Sequence, residues 1–234
     1  MNDTHFANCT GLPAAGHETS AYDIALMSRE LIWRHPDIRS FTTVWMDSLR
    51  DGASMLVNTN KLIRFYDGAT GLKTGSTDAA GYCLSATAEK NGMELIAVVL
   101  KGRTSDERFT DAKSLLNYGF ATWSLVTVTP DEAIPPVCVT LGVRGTVQPV
   151  LTPENTLLLE KTQTAGLTKE LTLEESISAP VYTGDTLGAL TVRDADGNAV
   201  AVLPLLAGED VERVTLWQMF LRYLARGFCA APHG

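Results

Sequence analysis

The sequence has few cationic residues and no long apolar run. Its 234 residues contain 19 Lys and Arg against 27 Asp and Glu, which gives a net charge of -8. Sequence-independent nucleic-acid binding needs basic patches that displace counterions, so we expect no nucleic-acid partner. No apolar stretch reaches the roughly 20 residues of a membrane-spanning helix. The N-terminus also lacks the basic and apolar segments of a secretory signal, so we expect no signal peptide in this chain.

Metal-binding and disulfide patterns are absent as well. Cys9, Cys83, Cys138 and Cys229 are widely spaced and form no Cys-x-x-Cys pair. Such spacing is typical of separate thiols, and free cysteine is among the most buried residue types, so we expect four separate, buried cysteines. The four histidines show no metal-ligand spacing either, and surface or capping roles fit them better. We therefore expect neither a metal ion nor another cofactor.

The most informative stretch covers residues 70–83 and lies between strand-like apolar runs. It reads Thr-Gly-Leu-Lys-Thr-Gly-Ser-Thr-Asp-Ala-Ala-Gly-Tyr-Cys. A strand at the edge of a cleft offers free backbone groups to an extended peptide. The hydroxyls of Thr74, Ser76 and Thr77 can donate to a terminal carboxylate, Lys73 adds positive charge and can transfer a proton, and Gly75 keeps the approach open. A surface turn with an incidental lysine is the alternative for these residues alone.

The pattern of the remaining chain predicts a mixed α+β protein. Ser20 begins a helical pattern that ends before Pro36, and Thr104 with Glu107 forms a capping box for a helix up to about Trp123. Between them, residues 70–76, 81–88 and 93–101 predict three antiparallel strands. After Trp123, short Val-, Thr- and Leu-rich runs separated by Gly, Pro and Asp turns predict a small all-β domain. We expect boundaries at 1–124, 125–208 and 209–234.

Several segments together resemble a known family. Lys73-Thr74-Gly75 is the triplet found in class A β-lactamases and penicillin-binding proteins. With residues 2–12, 58–63, 80–84 and 102–104, it resembles the D-alanyl-D-alanine carboxypeptidases, which are low-molecular-mass penicillin-binding proteins. The resemblance implies a partial transpeptidase-like, β-lactamase-like domain with an antiparallel sheet and helices, followed by the β-rich domain. It covers most of the chain, and a β-lactamase relative is disfavoured because those enzymes lack the second domain.

The resemblance also implies an activity and a set of site residues. The full enzyme would remove the terminal D-Ala from peptidoglycan stem peptides that end in D-Ala-D-Ala, β-lactams would trap its serine, and it would act at the extracytoplasmic face of the bacterial cytoplasmic membrane. Lys73 and Ser76 would be catalytic, and the N–H of Ser76 would form half of an oxyanion hole. The substrate-binding set implied by the resemblance is Lys73, Thr74, Gly75, Ser76, Thr77 and Arg108.

Arg108 lies in the first turns of the helix that Thr104 begins. By the resemblance it helps to hold the terminal carboxylate of the substrate, a task that suits a guanidinium group. From the residues alone, an exposed arginine paired with Glu107 or Asp111 is the alternative, since many surface ion pairs are incidental.

The family's nucleophile motif is missing from the printed sequence. The family has its serine in Ser-x-x-Lys, and Ser-x-Asn or Tyr-x-Asn completes the proton relay. No serine here has lysine three positions later, and no serine or tyrosine has asparagine two positions later. We therefore expect the chain to be the latter portion of a carboxypeptidase, inactive without the signal peptide, nucleophile and relay that precede it in the family. A non-catalytic envelope-binding or scaffolding module is the alternative.

Residues 211–228 predict an amphipathic helix. Arg222 and Arg226 lie opposite one apolar face. An interfacial helix needs apolar and aromatic residues among the acyl chains and cations near the anionic headgroups. We therefore expect this helix to bind a membrane surface, as the resemblance also implies, whereas docking on the β domain or on a partner is the alternative. The apolar face consists of Val214 and the expected membrane contacts Trp217, Phe220, Leu221, Leu224 and Phe228.

Overall fold

The computed structural model describes residues 1–229, and within its last helix the side chains of 216–221 and 224. The chain forms two compact units, the first covering residues 1–125 and the second beginning at Val126. The chain contains α-helices as well as antiparallel strands, which confirms the α+β prediction. The three-part division at 1–124, 125–208 and 209–234 stays a prediction.

The first unit contains four α-helices, a short 3-10 helix (Pro36–Ile38) and the strands that carry the candidate site. The first helix begins after Ser20, whose hydroxyl accepts from the N–H of Asp23 at 3.2 Å, and ends before Pro36, as predicted. The elements of this unit, in chain order, are α1 (Ala21–Arg34), α2 (Arg39–Thr42), β1 (Met46–Leu49), β2 (Ser54–Val57), α3 (Leu62–Phe65), β3 (Ala69–Thr77), β4 (Gly81–Lys90), β5 (Met93–Gly102) and α4 (Ser105–Thr122).

The three strands predicted around the Lys-Thr-Gly triplet form one antiparallel sheet in the order β3-β4-β5. Asn91 and Gly92 connect β4 to β5, and both have positive φ, 53° and 77°, as a tight hairpin turn requires. Strand β3 pairs with β4 along one side only, so within the described residues its other side is a free edge. Strand β3 therefore has the unpaired edge that the predicted peptide-docking strand requires.

One face of this sheet is covered by α4. Phe109, Ala112 and Leu116 of α4 pack against Leu84 and Ala86 of β4 in a buried apolar cluster. Helix α1 packs against β5 and, less extensively, β4. Burial of the large side chains in such a cluster contributes about 1.5–3 kcal/mol each to folding. The sheet is thereby fixed, which places β3 at a defined position.

The residues of the predicted capping box at the start of α4 are both used. The Thr104 hydroxyl accepts from the N–H of Glu107 at 3.1 Å, as expected. The Glu107 carboxylate accepts from the N–H of Arg103 at 2.6 Å and from the Arg103 side chain. These bonds, together with a smaller contribution from the N–H of Thr104, hold the pKa of Glu107 below its ordinary value.

The second unit is a β domain, which confirms the all-β domain predicted after Trp123. Strand β6 (Trp123–Thr127) leads into it, and its main sheet has four antiparallel strands in the order β11-β13-β14-β9. A second sheet has the order β12-β7-β8, with β12 and β7 parallel. The strands are β7 (Val137–Thr140), β8 (Thr146–Val147), β9 (Pro149–Leu151), β10 (Thr156–Glu160), β11 (Thr168–Leu173), β12 (Ser176–Ser178), β13 (Thr186–Arg193) and β14 (Ala199–Ala207).

The last helix, α5 (Leu216–Cys229), begins later than the sequence pattern predicts. Val211 pairs with Val181 through backbone hydrogen bonds, and Val214 donates its N–H to Leu141 at 2.8 Å. These residues are therefore extended along the β domain, and the placement of Val214 on the helix was wrong. Among the described helices, none has both the length and the hydropathy to cross a bilayer.

The three cysteines whose side chains are described are free, and none of them is buried. Cys9 and Cys138 are exposed, and Cys83 is half-buried, which corrects the expectation of buried thiols. Cys138 lies on β7, where buried and exposed residues alternate, and it occupies an outward position. The side chain of Cys229 lies outside the described residues.

Candidate functional site

A groove of about 680 Å³ opens beside strand β3. Residues 72–75 of β3 form one side of it, together with residues of β4. Helix α1 and the N-terminal segment form the other side, with mainly apolar side chains that include Phe6, Met27 and Leu31. The chain thus places the Lys-Thr-Gly triplet next to an open cavity large enough for a small ligand.

Lys73 is the cation of this groove. Its ammonium group donates to the backbone carbonyl of Thr74, and its side chain is exposed. In the β3–β4 register Lys73 lies opposite Ser85, whose hydroxyl is 2.7 Å from that of Ser28 in a buried pair. All of these residues line the groove. Lys73 therefore supplies positive charge to a groove that a buried pair of hydroxyls also lines.

Thr74 is buried, with 7% of its surface exposed. Its hydroxyl is 2.6 Å from the hydroxyl of Thr59, which lies in the segment before α3. Gly75 and Ser76 follow it as exposed residues. A Cβ added to Gly75 would meet no atom within 4 Å, so open space remains at this position of the strand. The Thr77 hydroxyl accepts from the N–H of Ala80 at 3.0 Å and thereby stabilises the turn between β3 and β4.

Arg108 reaches this strand from α4. Its Nη1 donates to the backbone carbonyls of Gly75 and Cys83, both at 3.2 Å. Arg108 is 7% exposed, and Glu107 is paired with Arg103 instead. The alternative of an exposed arginine paired with Glu107 or Asp111 is therefore wrong. Arg108 therefore ties the Gly75 end of β3 to β4 and places a positive charge beneath the strand.

Burial determines the pKa of Arg108 and the environment of its charge. The guanidinium group lies over the rings of Phe109 and Tyr82, 4.8 and 5.4 Å from their centroids. Desolvation lowers the pKa of Arg108, while Cys83 and Tyr82 oppose the decrease. Within the described residues, its buried Nε has no hydrogen-bond partner. The group stays protonated, so the charge acts in a poorly hydrated environment where electrostatic attraction is stronger.

The structure brings the six predicted substrate-binding residues together. Five are consecutive on β3, and Arg108 donates to the carbonyl of one of them, Gly75. Sequence reasoning missed Thr59, Ser28 and Ser85 as neighbours of the triplet. The Asn-Thr-Asn run at 58–60 was a usable signal for Thr59, because asparagine side chains commonly fix turns. Nothing local indicated the Ser28–Ser85 pair, which lies 57 residues apart in the chain.

The predicted membrane contacts lie on α5. The side chains of Trp217, Phe220, Leu221 and Leu224 are all exposed, and the Trp217 and Phe220 rings stack with centroids 5.7 Å apart. The Phe228 side chain lies outside the described residues. Among the side chains that the structure describes, no three of His, Cys, Asp or Glu are grouped so that they could hold a metal ion.

Two known families match this chain. Residues 1–104 match the D-alanyl-D-alanine carboxypeptidase family, and residues 131–213 match the family described as "Penicillin-binding protein 5, C-terminal domain". D-alanyl-D-alanine carboxypeptidase DacF of Bacillus subtilis is 34% identical over 231 residues, which cover 97% of this chain and 58% of the relative. DacC of Escherichia coli is 29% identical over 218 residues, 91% of this chain and 53% of the relative. The chain thus spans somewhat more than half the length of these relatives.

Solved structures agree with the sequence matches. Penicillin binding protein 5 from Haemophilus influenzae superposes with a TM-score of 0.68 at 25% identity, over 90% of this chain and 61% of that one. Penicillin binding protein 6B from Escherichia coli gives 0.62 at 26% identity, over 87% and 55%. By both sequence and fold, the chain belongs to the D-alanyl-D-alanine carboxypeptidase family, the low-molecular-mass serine penicillin-binding proteins.

Proposed function

We propose that this chain supplies the substrate-binding strand of a serine-type D-alanyl-D-alanine carboxypeptidase, which trims the terminal D-Ala from peptidoglycan stem peptides. One observation carries the proposal. Lys73, Thr74 and Gly75 lie on the edge strand β3 and line an open groove, and Arg108 donates to the carbonyl of Gly75. The names of the relatives support the reaction and the substrate class.

The proposed contacts follow from the chemistry of the peptide. An extended stem peptide adds to the free edge of β3 through main-chain hydrogen bonds. Its terminal carboxylate accepts from the hydroxyls of Thr74, Ser76 and Thr77. Lys73 and the buried Arg108 add positive potential, and charge-assisted hydrogen bonds are about twice as strong as neutral ones. Gly75 leaves room for the peptide backbone.

The proposed catalytic contributions are those of Lys73 and Ser76. In acyl transfer, negative charge develops on the carbonyl oxygen, and fixed N–H donors stabilise it. We assign one of these donors to the backbone N–H of Ser76, and a proton-transfer role to the Lys73 ammonium group. β-Lactams would occupy the same groove in the full enzyme, because the trapped acyl group needs the same donors.

The binding step is tested with a stem-peptide mimic, diacetyl-L-Lys-D-Ala-D-Ala, and its C-terminal amide. NMR titration of the chain is expected to show tighter binding of the acid. Lys73→Met should weaken acid binding by about fivefold, the size of an exposed charge interaction of about 1 kcal/mol. Lys113→Met removes the same charge from α4, outside the groove lining, and should have no effect. Equal binding of acid and amide would contradict the proposal.

We further propose that α5 binds the membrane surface, at the extracytoplasmic face in the full protein. The support is the row of exposed apolar side chains on α5, with Trp217 and Phe220 stacked at its start. Trp217→Ala with Phe220→Ala should reduce sedimentation with anionic vesicles. Tyr182→Ala, an exposed aromatic of the β domain, is the matched control. Unchanged binding of the double variant would point to docking on a protein instead.

A further inference from the structure

We propose that Thr59 is a positioning residue for the Thr74 hydroxyl, which it orients so that the Thr74 proton is available to the substrate carboxylate. The inference rests on the proposed function, because it concerns the same carboxylate. It adds a residue that lies outside β3, in the segment between β2 and α3.

The first step concerns the state of Thr74. Only 7% of the surface of Thr74 is exposed, so its hydroxyl has little access to water as a hydrogen-bond partner. Its partner is the Thr59 hydroxyl at 2.6 Å. A hydroxyl has one proton and two lone pairs. An ionised carboxylate can only accept hydrogen bonds. Thr74 can therefore bind it only by donating its single proton, and its bond to Thr59 must then run in the opposite sense, from Thr59 to Thr74.

The second step concerns the exposure of Thr59. Thr59 is exposed where Thr74 is buried. It can donate its proton inward to Thr74 while its own lone pairs remain hydrated, so the arrangement leaves no buried polar atom unpaired. Successive hydrogen bonds of this kind polarise one another, which strengthens the bond from Thr74 to the carboxylate. A valine at 59 would leave Thr74 free to rotate away from the ligand.

The third step concerns the neighbours that hold Thr59. The Asn58 side chain donates to the carbonyls of Thr42 and Val44, at 3.1 and 2.9 Å. Its oxygen accepts from the N–H of Asn60 at 2.9 Å. The segment is thus tied down immediately before Thr59.

Asn60 ties the segment down immediately after Thr59. It is 2% exposed, and its amide donates to the carbonyl of Gly71 on β3 at 2.8 Å while its oxygen accepts from the N–H of Leu62 at 3.1 Å. Because both flanking residues are fixed, Thr59 meets Thr74 with little loss of conformational freedom. A pre-organised contact of this kind lowers the ordering cost of ligand binding.

The test is a double-variant cycle read by NMR titration with diacetyl-L-Lys-D-Ala-D-Ala and its C-terminal amide. Thr59→Val is expected to weaken binding of the acid roughly fivefold and binding of the amide less, because the lost orientation corresponds to about one neutral hydrogen bond. Thr59→Ser keeps the hydroxyl and should restore the wild-type acid-to-amide ratio. In a Thr74→Val background, Thr59→Val should have no further effect, since Thr59 acts through Thr74.

Three outcomes would overturn the inference, and they are distinguishable. If Thr59→Val binds the acid as well as wild type does, Thr59 orients nothing and the proposed function is untouched. If Thr59→Val weakens binding equally in the wild-type and Thr74→Val backgrounds, Thr59 contacts the ligand directly or acts through the fold. If the wild-type chain binds acid and amide equally or binds neither, the proposed function itself fails, and the role of Thr59 fails with it.

Discussion

Replacing Arg108 with methionine tests whether this residue holds strand β3 in place. Methionine keeps an unbranched side chain between the Phe109 and Tyr82 rings but removes the donors to the carbonyls of Gly75 and Cys83. The strand should then separate more often from its neighbour at this end. The position is informative because Arg108 lies on α4, while the affected bonds lie on β3 and β4.

The magnitude follows from two lost hydrogen bonds. A buried acceptor that loses its partner costs about 1–3 kcal/mol, and both carbonyls here are partly buried, so a cost of about 1.5 kcal/mol applies to each. Removing a desolvated charge returns part of this cost. We expect a net local destabilisation of about 2 kcal/mol, which corresponds to a roughly thirtyfold change in an opening equilibrium.

Native-state hydrogen exchange is the appropriate assay, because it reports local opening without requiring one transition for both units. The amides of β3 and β4 near Gly75 and Cys83 should exchange about thirtyfold faster in Arg108→Met. Arg108→Lys keeps the charge without the planar guanidinium group and should fall between the two. Unchanged protection in Arg108→Met would refute the role of Arg108 in holding the strand, whatever its effect on peptide binding.

Three further predictions concern other parts of the molecule. Ser85→Ala should destabilise the first unit by about 1–2 kcal/mol in urea unfolding, because it leaves the buried Ser28 hydroxyl unpaired. Adding Ser28→Ala should recover most of this loss. Additive losses in the double variant would contradict the pairing of the two hydroxyls. The Thr4 hydroxyl holds the pKa of Asp23 below its ordinary value of 3.8. The Asp23 carboxylate therefore contributes its full stabilisation above pH 3.8 and loses it as the pH falls through the lowered pKa of the folded state. Asp23→Asn should therefore flatten the dependence of the unfolding midpoint on acid pH, and an unchanged slope would contradict this assignment. Fluorescent penicillin should not label the chain covalently, because no serine here has lysine three positions later; a stable adduct would disprove this.

The local features of the fold could be predicted from the sequence. Alternating apolar runs and the Asn91-Gly92 turn specified β4 and β5, and the hydroxyls of Ser20 and Thr104 marked the helix starts. These signals are local because a turn or a cap depends on residues a few positions apart. The pairing of the three strands around the Lys-Thr-Gly triplet then followed without knowledge of distant contacts.

The features that failed depend on partners far along the chain. Arg108 is charged and lies near a helix start, so its burial could not be read from its neighbours; its partner Gly75 lies 33 residues away. The pairing of Thr59 with Thr74 was missed for the same reason, because the two residues lie in different segments. The helix start at Leu216 was missed because Val214 fits the apolar face of a helix, yet its N–H is bonded to Leu141.

Intermolecular NOEs show where on the chain a peptide C-terminus binds. With diacetyl-L-Lys-D-Ala-D-Ala bound, we expect contacts from the terminal D-Ala methyl group to residues 74–77 of β3. Contacts confined to the second unit, or to the side of the first unit away from β3, would contradict this expectation.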